Sequence, residues 1–153
     1  MGAKGYKETT WPNGRLKVKG SLKNGRRTGV WEYWREDGGQ RQECRYKNGK
    51  LDGLETYWYE EGWKRQTNWK GGKKHGMEIV WHENGEKRES GRYKNGKQDG
   101  LWESWYESGQ KRGENKYKQG KLDGDWIRWD EEGKELGRQV WGKGKMLENV
   151  ILP

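Results

Sequence analysis

Hydrophobic positions in this chain recur on two scales, four residues apart inside short stretches and about 24 residues apart along the whole length. Val30 and Trp34, Leu54 and Trp58, Met77 and Trp81, and Leu101 and Trp105 are such pairs. Residues four apart share a face of a β-strand. A second stretch in each unit ends on a ring or Leu, namely Leu22, Tyr46, Trp69, Tyr93, Tyr117 and Trp141, and Leu16, Val18 and Leu22 alternate in the first. Glycines punctuate the pattern at Gly14, Gly38, Gly62, Gly85, Gly109 and Gly133, and again at Gly25, Gly49, Gly72, Gly96, Gly120 and Gly144. An interior Gly costs a helix about 1 kcal/mol relative to Ala, so this density leaves no window for one of ordinary length. Asn24-Gly25, Asn48-Gly49, Asn84-Gly85, Asn95-Gly96 and Pro12-Asn13-Gly14 supply residues that accept the positive φ of hairpin turns.

Blocks ending on a third glycine divide the chain into units 6–29, 30–53, 54–76, 77–100, 101–124 and 125–145, with a lead-in at 1–5 and a tail at 146–153. Each complete unit has 24 residues except the third, which is one shorter. Internal self-similarity at a fixed period decides the fold. Each unit reads as strand, turn, strand, turn. The prediction is an all-β protein, an elongated, twisted, single-layer antiparallel meander of six hairpin repeats and about twelve strands, each hairpin held mainly by its neighbours. Met146, Leu147, Val150, Ile151 and Leu152 make the tail the most apolar segment, and it is expected to cap the final edge strand.

Composition changes this picture in one respect. Apolar residues are 27% and charged residues 37%, a balance that without its rings would leave a chain disordered. Twelve Trp and eight Tyr, each able to bury about 150–250 Å², must therefore hold the sheet together. The Trp34, Trp58, Trp81 and Trp105 series is assigned to packing. Trp31, Tyr33, Tyr57, Trp102 and Trp126 fall on the opposite face and are assigned to recognition.

In a meander alternate turns lie on opposite edges. One set carries Glu36, Asp37, Glu60, Glu61, Glu83, Glu107, Glu131 and Glu132, and the other is rich in lysine, diluted by Asp52, Asp99 and Asp123. One edge is predicted acidic and the other basic. Residues 1–29 hold eight of the basic groups and one acidic group, which is +7 of the net +9. Lys4, Lys7, Arg15, Lys17, Lys19, Lys23, Arg26 and Arg27 are thus the first place to seek contact with an acidic partner, because local field governs attraction.

Motifs for chemistry are sparse. Gly91 to Gln98 follows most of a phosphate-binding loop, but Gln98 stands where Ser or Thr would hold magnesium, and no helix follows. His82 occupies a position held by Tyr59 and Tyr106 in other units, and Cys44 one held by Gly20, Thr67, Gly91 and Asn115, which reads as packing. His75 is the other histidine. The repeated Lys-x-Asp-Gly turns offer too few oxygens for calcium. No cofactor, metal, catalytic residue or small-molecule substrate is expected. A single cysteine and the lack of a long apolar run point to a reduced, cytoplasmic setting.

Tyr93 to Trp102, with Trp105-Tyr106-Glu107-Ser108-Gly109-Gln110-Lys111, resembles the variant MORN repeat of bacterial proteins of the YwqK antitoxin family. The resemblance runs from about Tyr6 to Gly144, with departures at Thr10, where Trp is expected, and at Trp63 in the shortened unit. It implies an antiparallel hairpin-repeat fold and a role as an immunity protein that binds and neutralises a toxin. The leading expectation is a non-enzymatic protein-binding module. A scaffold on anionic membrane lipid is the alternative, and nucleic-acid binding through the basic and aromatic surface ranks third.

Overall fold

The computed structural model describes residues 4–151, and all of their regular structure is β. The strands are β1 (Lys4–Thr10), β2 (Leu16–Lys23), β3 (Arg26–Trp34), β4 (Gln40–Lys47), β5 (Lys50–Trp58), β6 (Lys64–Lys70) and β7 (Lys73–Trp81). They continue as β8 (Lys87–Lys94), β9 (Lys97–Gln98), β10 (Gly100–Trp105), β11 (Lys111–Lys118), β12 (Lys121–Trp129), β13 (Glu135–Gly142) and β14 (Lys145–Ile151). All belong to one open antiparallel sheet in sequence order, with the two-residue β9 pairing β8 off the main path. The meander is as the spacing predicts.

The strand number is fourteen rather than about twelve. The two extra strands come from Asp99, which interrupts one strand to give β9 and β10, and from the tail, which forms β14; residues 4 and 5, assigned to a lead-in, lengthen β1 by pairing with Lys23 and Leu22. The tail also departs from expectation. Its residues 146–151 lie in β14, hydrogen-bonded to β13 from Gly142↔Lys145 to Gly137↔Ile151, and so form the edge strand itself rather than a cap over one. The cause is local: Lys143-Gly144 takes the same reversing conformation as the other turns on that edge and sends the chain back into the ladder. Met146, Leu147 and Val150 stay exposed. Residues 1–3 of the lead-in, and Leu152 and Pro153 of the tail, lie outside the described residues.

The two edges use different turns. On the basic edge both central residues have positive φ, as in Asn48-Gly49 (51° and 80°) and Asn95-Gly96 (52° and 85°), the two-residue type I′ geometry that matches strand twist. On the acidic edge only the Gly is left-handed, and its N–H returns to the carbonyl three residues back, as from Gly85 to His82 at 3.1 Å. Asn13 and Asn84, in Asn-Gly pairs on this edge, do not take positive φ. Their side chains accept the N–H of Arg15 and Glu86 and donate to the carbonyls of Glu36 and Glu107 in the next repeat.

The third unit is short for a specific reason. Trp34 pairs with Gln40 and Tyr33 with Gln42, leaving Arg41 as a bulged extra residue, and Arg88 and Arg112 are bulged in the same way. In the third unit Trp58 pairs with Lys64 and Tyr57 with Arg65 without a gap. The missing residue is the bulge.

Successive repeats are tied at both edges. The N–H groups of Gly49, Gly72, Gly96, Gly120 and Gly144 donate to Arg27, Leu51, Lys74, Gln98 and Leu122 carbonyls of the preceding repeat at 2.8–2.9 Å. Asp52, Asp99 and Asp123 accept the N–H of Gly71, Gln119 and Lys143, which is the use of the Lys-x-Asp-Gly turn. On the acidic edge Trp11 Nε1–H, His82 Nε2–H and Tyr106 O–H donate to the carbonyls of Trp34, Trp105 and Trp129, at 3.2, 3.0 and 2.9 Å.

The best-buried rings are Trp31 and Trp102, 1% and 3% exposed. Each lies flat on a glycine of the preceding strand: a Cβ on Gly20 would sit 2.2 Å from the Trp31 ring, and one on Gly91 2.1 Å from the Trp102 ring. Their indole N–H groups close onto the carbonyls of Ser21 and Arg92. Gly91→Ala should therefore lower stability by about 1–3 kcal/mol through overpacking, read as a drop in thermal midpoint. Gly5→Ala, whose Cβ would meet only Leu22 at an ordinary 3.6 Å, should shift that midpoint little.

Candidate functional site

The register assigns every side chain to a face. Trp31, Cys44, Glu55, Thr67, Glu78 and Gly91 run across successive strands as direct partners, and Trp102, Asn115 and Trp126 continue the row. Tyr33, Tyr57 and Arg65 lie on the same face, two residues along. The other face carries Trp34, Trp58, Trp81, Trp105 and Trp129. Lysine ammonium groups stand over that second series, as Lys64 over Trp81 at 4.5 Å and Lys111 over Trp129 at 5.5 Å.

The division into packing and recognition residues is therefore corrected in part. Trp31 and Trp102 do share a face with Tyr33, Tyr57 and Trp126, but they are the core of the sheet and offer no ring to a partner. Trp34, Trp58, Trp81 and Trp105 are half-buried, and Val30, Leu54, Met77 and Leu101 are exposed. The reason is what stands opposite. Trp31 faces Gly20 and Cys44, small residues that let a ring sink to the backbone, whereas Val30 and Leu101 pair with Arg45 and Lys116.

In the third and fourth units the central row changes character. Glu55 and Glu78 occupy the places of Trp31 and Trp102 and flank Thr67, which is fully buried. Glu55 accepts from Gln42 at 2.5 Å and from Trp69 Nε1–H at 2.8 Å. Glu78 accepts from Thr67 at 2.8 Å and from Lys74 at 2.5 Å. Both carboxylates have partners here, so their burial is supported by charge-assisted bonds. Beside this row burial pushes Tyr93 up to about 12, with Glu78 adding to the shift.

Two further features of this face were not singled out from the sequence. Arg41, Arg65, Arg88 and Arg112 form a column, and their guanidinium groups lie over Tyr33, Tyr59, Trp63 and Tyr106 at 5.4–5.9 Å. Tyr57, Tyr59 and Trp63 join them into a band, with ring centroids 4.6 Å apart for the first pair and 3.3 Å for the stacked second. Arg41, Tyr57 and Tyr59 line one concavity together with Glu60 and Glu61. Arg41 Nε is buried there and has no hydrogen-bond partner among the described residues. The recurrence of Arg at one position in four units is the signal that could have found this column.

The basic candidates gather at one end of the sheet but do not form one patch. Lys7 and Arg27 belong to the Trp31 face, whereas Lys4, Lys19 and Lys23 belong to the other. Several are already engaged. Arg15 donates to the carbonyls of Glu36 and Asp37. Lys17 lies over Trp11, and Lys19 pairs with Glu32 at 3.1 Å. Arg27 donates to both Tyr33 and Tyr46 at 3.1 Å. Burial raises the Tyr33 hydroxyl, so it stays protonated beside that guanidinium.

The basic edge is more uniform than the basic end. Turns 23–26, 47–50, 70–73, 94–97 and 118–121 each open and close on Lys or Arg, and Lys143 and Lys145 serve the sixth. All of these cations are exposed.

Cys44 packs under Trp31 and is 1% exposed, and burial pushes its thiol up to about 11. Among the described residues no group of His, Cys, Asp and Glu could hold a metal ion, and no helix is long and apolar enough to cross a membrane. The folded protein at pH 8 should resist a thiol-reactive probe at Cys44 and react fully once unfolded, because the thiolate that attacks is suppressed both by its raised pKa and by the ring above it. Stopped-flow labelling with and without denaturant checks this.

No curated protein matches this chain in sequence. The family model described as MORN repeat variant matches residues 74–95 and 98–119, two successive hairpin units spanning β7 to β11, and over these residues the chain is similar to that repeat.

Proposed function

We propose that this chain is a non-enzymatic repeat module that binds another protein through the tyrosine and arginine band of the Trp31 face. The observation that carries this reading is the band itself: Tyr33, Tyr57, Tyr59 and Trp63 interleaved with Arg41, Arg65 and Arg88 on a rigid sheet. Tyr, Trp and Arg are the residues that anchor protein interfaces, since each brings a large contact area together with a polar group. The Arg41 guanidinium adds a buried donor that a partner's carbonyl or carboxylate can satisfy.

The groups best suited to chemistry are committed elsewhere, Cys44 to packing and His82 to the Trp105 carbonyl. The resemblance to immunity proteins supplies the specific form of the proposal, a toxin held inactive by occlusion. The hairpin repeats supply the surface: each adds one aromatic or arginine position to a continuous line, and specificity comes from what differs between copies.

Capture of the partner from the source cell, followed by titration of the purified pair, tests this. Tyr57→Ala and Arg65→Ala should each weaken binding by tenfold or more, about 1.4 kcal/mol, with the circular dichroism spectrum unchanged. Trp102→Ala should lower the thermal midpoint. If the partner proves to be acidic lipid vesicles or nucleic acid, and Tyr57→Ala leaves protein capture untouched, the reading is wrong.

A further inference from the structure

We propose that the basic edge of the sheet is a docking line for an extended acidic polypeptide whose carboxylates recur at every third residue. This rests on the protein-binding reading above and names the chemistry of one partner segment.

The first observation is an unrelieved repulsion. In five of the six basic-edge hairpins the two flanking cations are direct cross-strand partners: Lys23↔Arg26, Lys47↔Lys50, Lys70↔Lys73, and likewise in the next two turns, while in the sixth Lys145 pairs with Gly142. Like charges directly opposite destabilise a strand pair. A type I′ turn asks only for residues that accept positive φ at its centre, so reversal of the chain does not call for these lysines. None of them forms an ion pair among the described residues, whereas Lys19, Lys74 and Lys111 on the sheet faces do. The carboxylates nearest the edge, Asp52, Asp99 and Asp123, are held on backbone N–H groups of the following turn and form no ion pair with these cations among the described residues.

The second observation is the period. Four turns stack on the one before, with Gly49 against Arg26, Gly72 against Lys50, Gly120 against Lys97 and Gly144 against Lys121, and the turn at Gly96 is tied back by its N–H to the Lys74 carbonyl at 2.8 Å. One repeat is two strands, so the pairs of cations recur at about 9.5 Å. One turn of polyproline II, three residues, advances about 9.3 Å and brings every third side chain to the same side, whereas residues three apart in a β-strand point to opposite faces. A segment with an acidic residue at every third position therefore brings one carboxylate to each turn. Its two oxygens can accept from both ammonium groups and remove the repulsion between them. A nucleic-acid strand carries a charge on every residue, so its binding would follow charge number rather than this period.

Two 18-residue peptides of identical composition provide the test. One has six glutamates at every third position among Pro and Ser, and the other has the same six in one block. Fluorescence anisotropy at 50 mM salt should show the periodic peptide binding at least tenfold tighter. The triple variant Lys50→Gln, Lys73→Gln, Lys97→Gln should lose that preference while its thermal midpoint at low salt stays equal or rises. A lysine role in folding alone would instead lower the midpoint.

Equal affinity for the two peptides, no binding of either, or displacement by an 18-nucleotide oligo-dT at equal or lower concentration overturns the proposal. The Tyr57→Ala, Arg65→Ala double variant separates the two readings. Periodic-peptide binding that survives in it, beside lost partner capture, supports the edge independently of the band. Partner capture that persists when the peptide preference is absent sinks the edge alone.

Discussion

A single-layer sheet has no second layer to press its residues against, so the depth at which a ring can be buried is limited by what lies beside it on the neighbouring strands. Trp31 and Trp102 meet this constraint by lying on Gly20 and Gly91, where the absence of a Cβ lets an indole touch the backbone. Tyr46 packs edge-on against Trp31, and Tyr93 and Tyr117 pack edge-on against Trp102. Each sunken ring thus gathers the aromatics of its neighbours, and the favourable edge-to-face geometry adds to the buried area. The rest of the sheet is arranged around these two local cores and the turn-to-turn bonds that link them.

Between them the middle of the sheet solves the same problem with polar chemistry. Thr67 stands where a glycine would admit an indole, and Glu55 and Glu78 on either side reach Trp69, Gln42 and Lys74. This is also where the bulge is deleted and Tyr59 stacks on Trp63. The changes are coupled in space: without the extra residue Arg65 falls directly opposite Tyr57. The interaction band is most continuous where the regular repeat is most altered, as expected if identity between units serves the fold and difference serves recognition.

The strands, the meander and the charge of each edge were legible because they depend on period and turn chemistry, which a sequence states directly. Burial was legible less well. Alternation tells which residues share a face, and it put Trp31, Tyr33, Tyr57, Trp102 and Trp126 together correctly, but it does not tell which ring has room to sink. That information was present in another form: pairing across the hairpin sets Trp31 against Gly20 and Cys44, and a large ring between two small residues marks a core position. Misreading the tail had a different cause. Apolar composition suggests a cap, but the two-residue reversal at Lys143-Gly144 directs the next segment into the ladder more firmly than hydrophobicity does in an edge strand.

The two edges show how differently one repeat can spend its charges. On the acidic edge Arg35 approaches Glu60, so part of the negative charge is answered within the sheet. On the basic edge these cations form no ion pair among the described residues, and five of the six type I′ turns hold two cations face to face. Polar turns are needed to keep a sheet of this composition in solution, but solubility is served equally well by mixed charges, which would also bind each hairpin more tightly. The arrangement costs stability at five of its turns, and substitution of one residue per turn would relieve it. The same lattice of hydrogen bonds that builds the fold fixes the spacing of those charges.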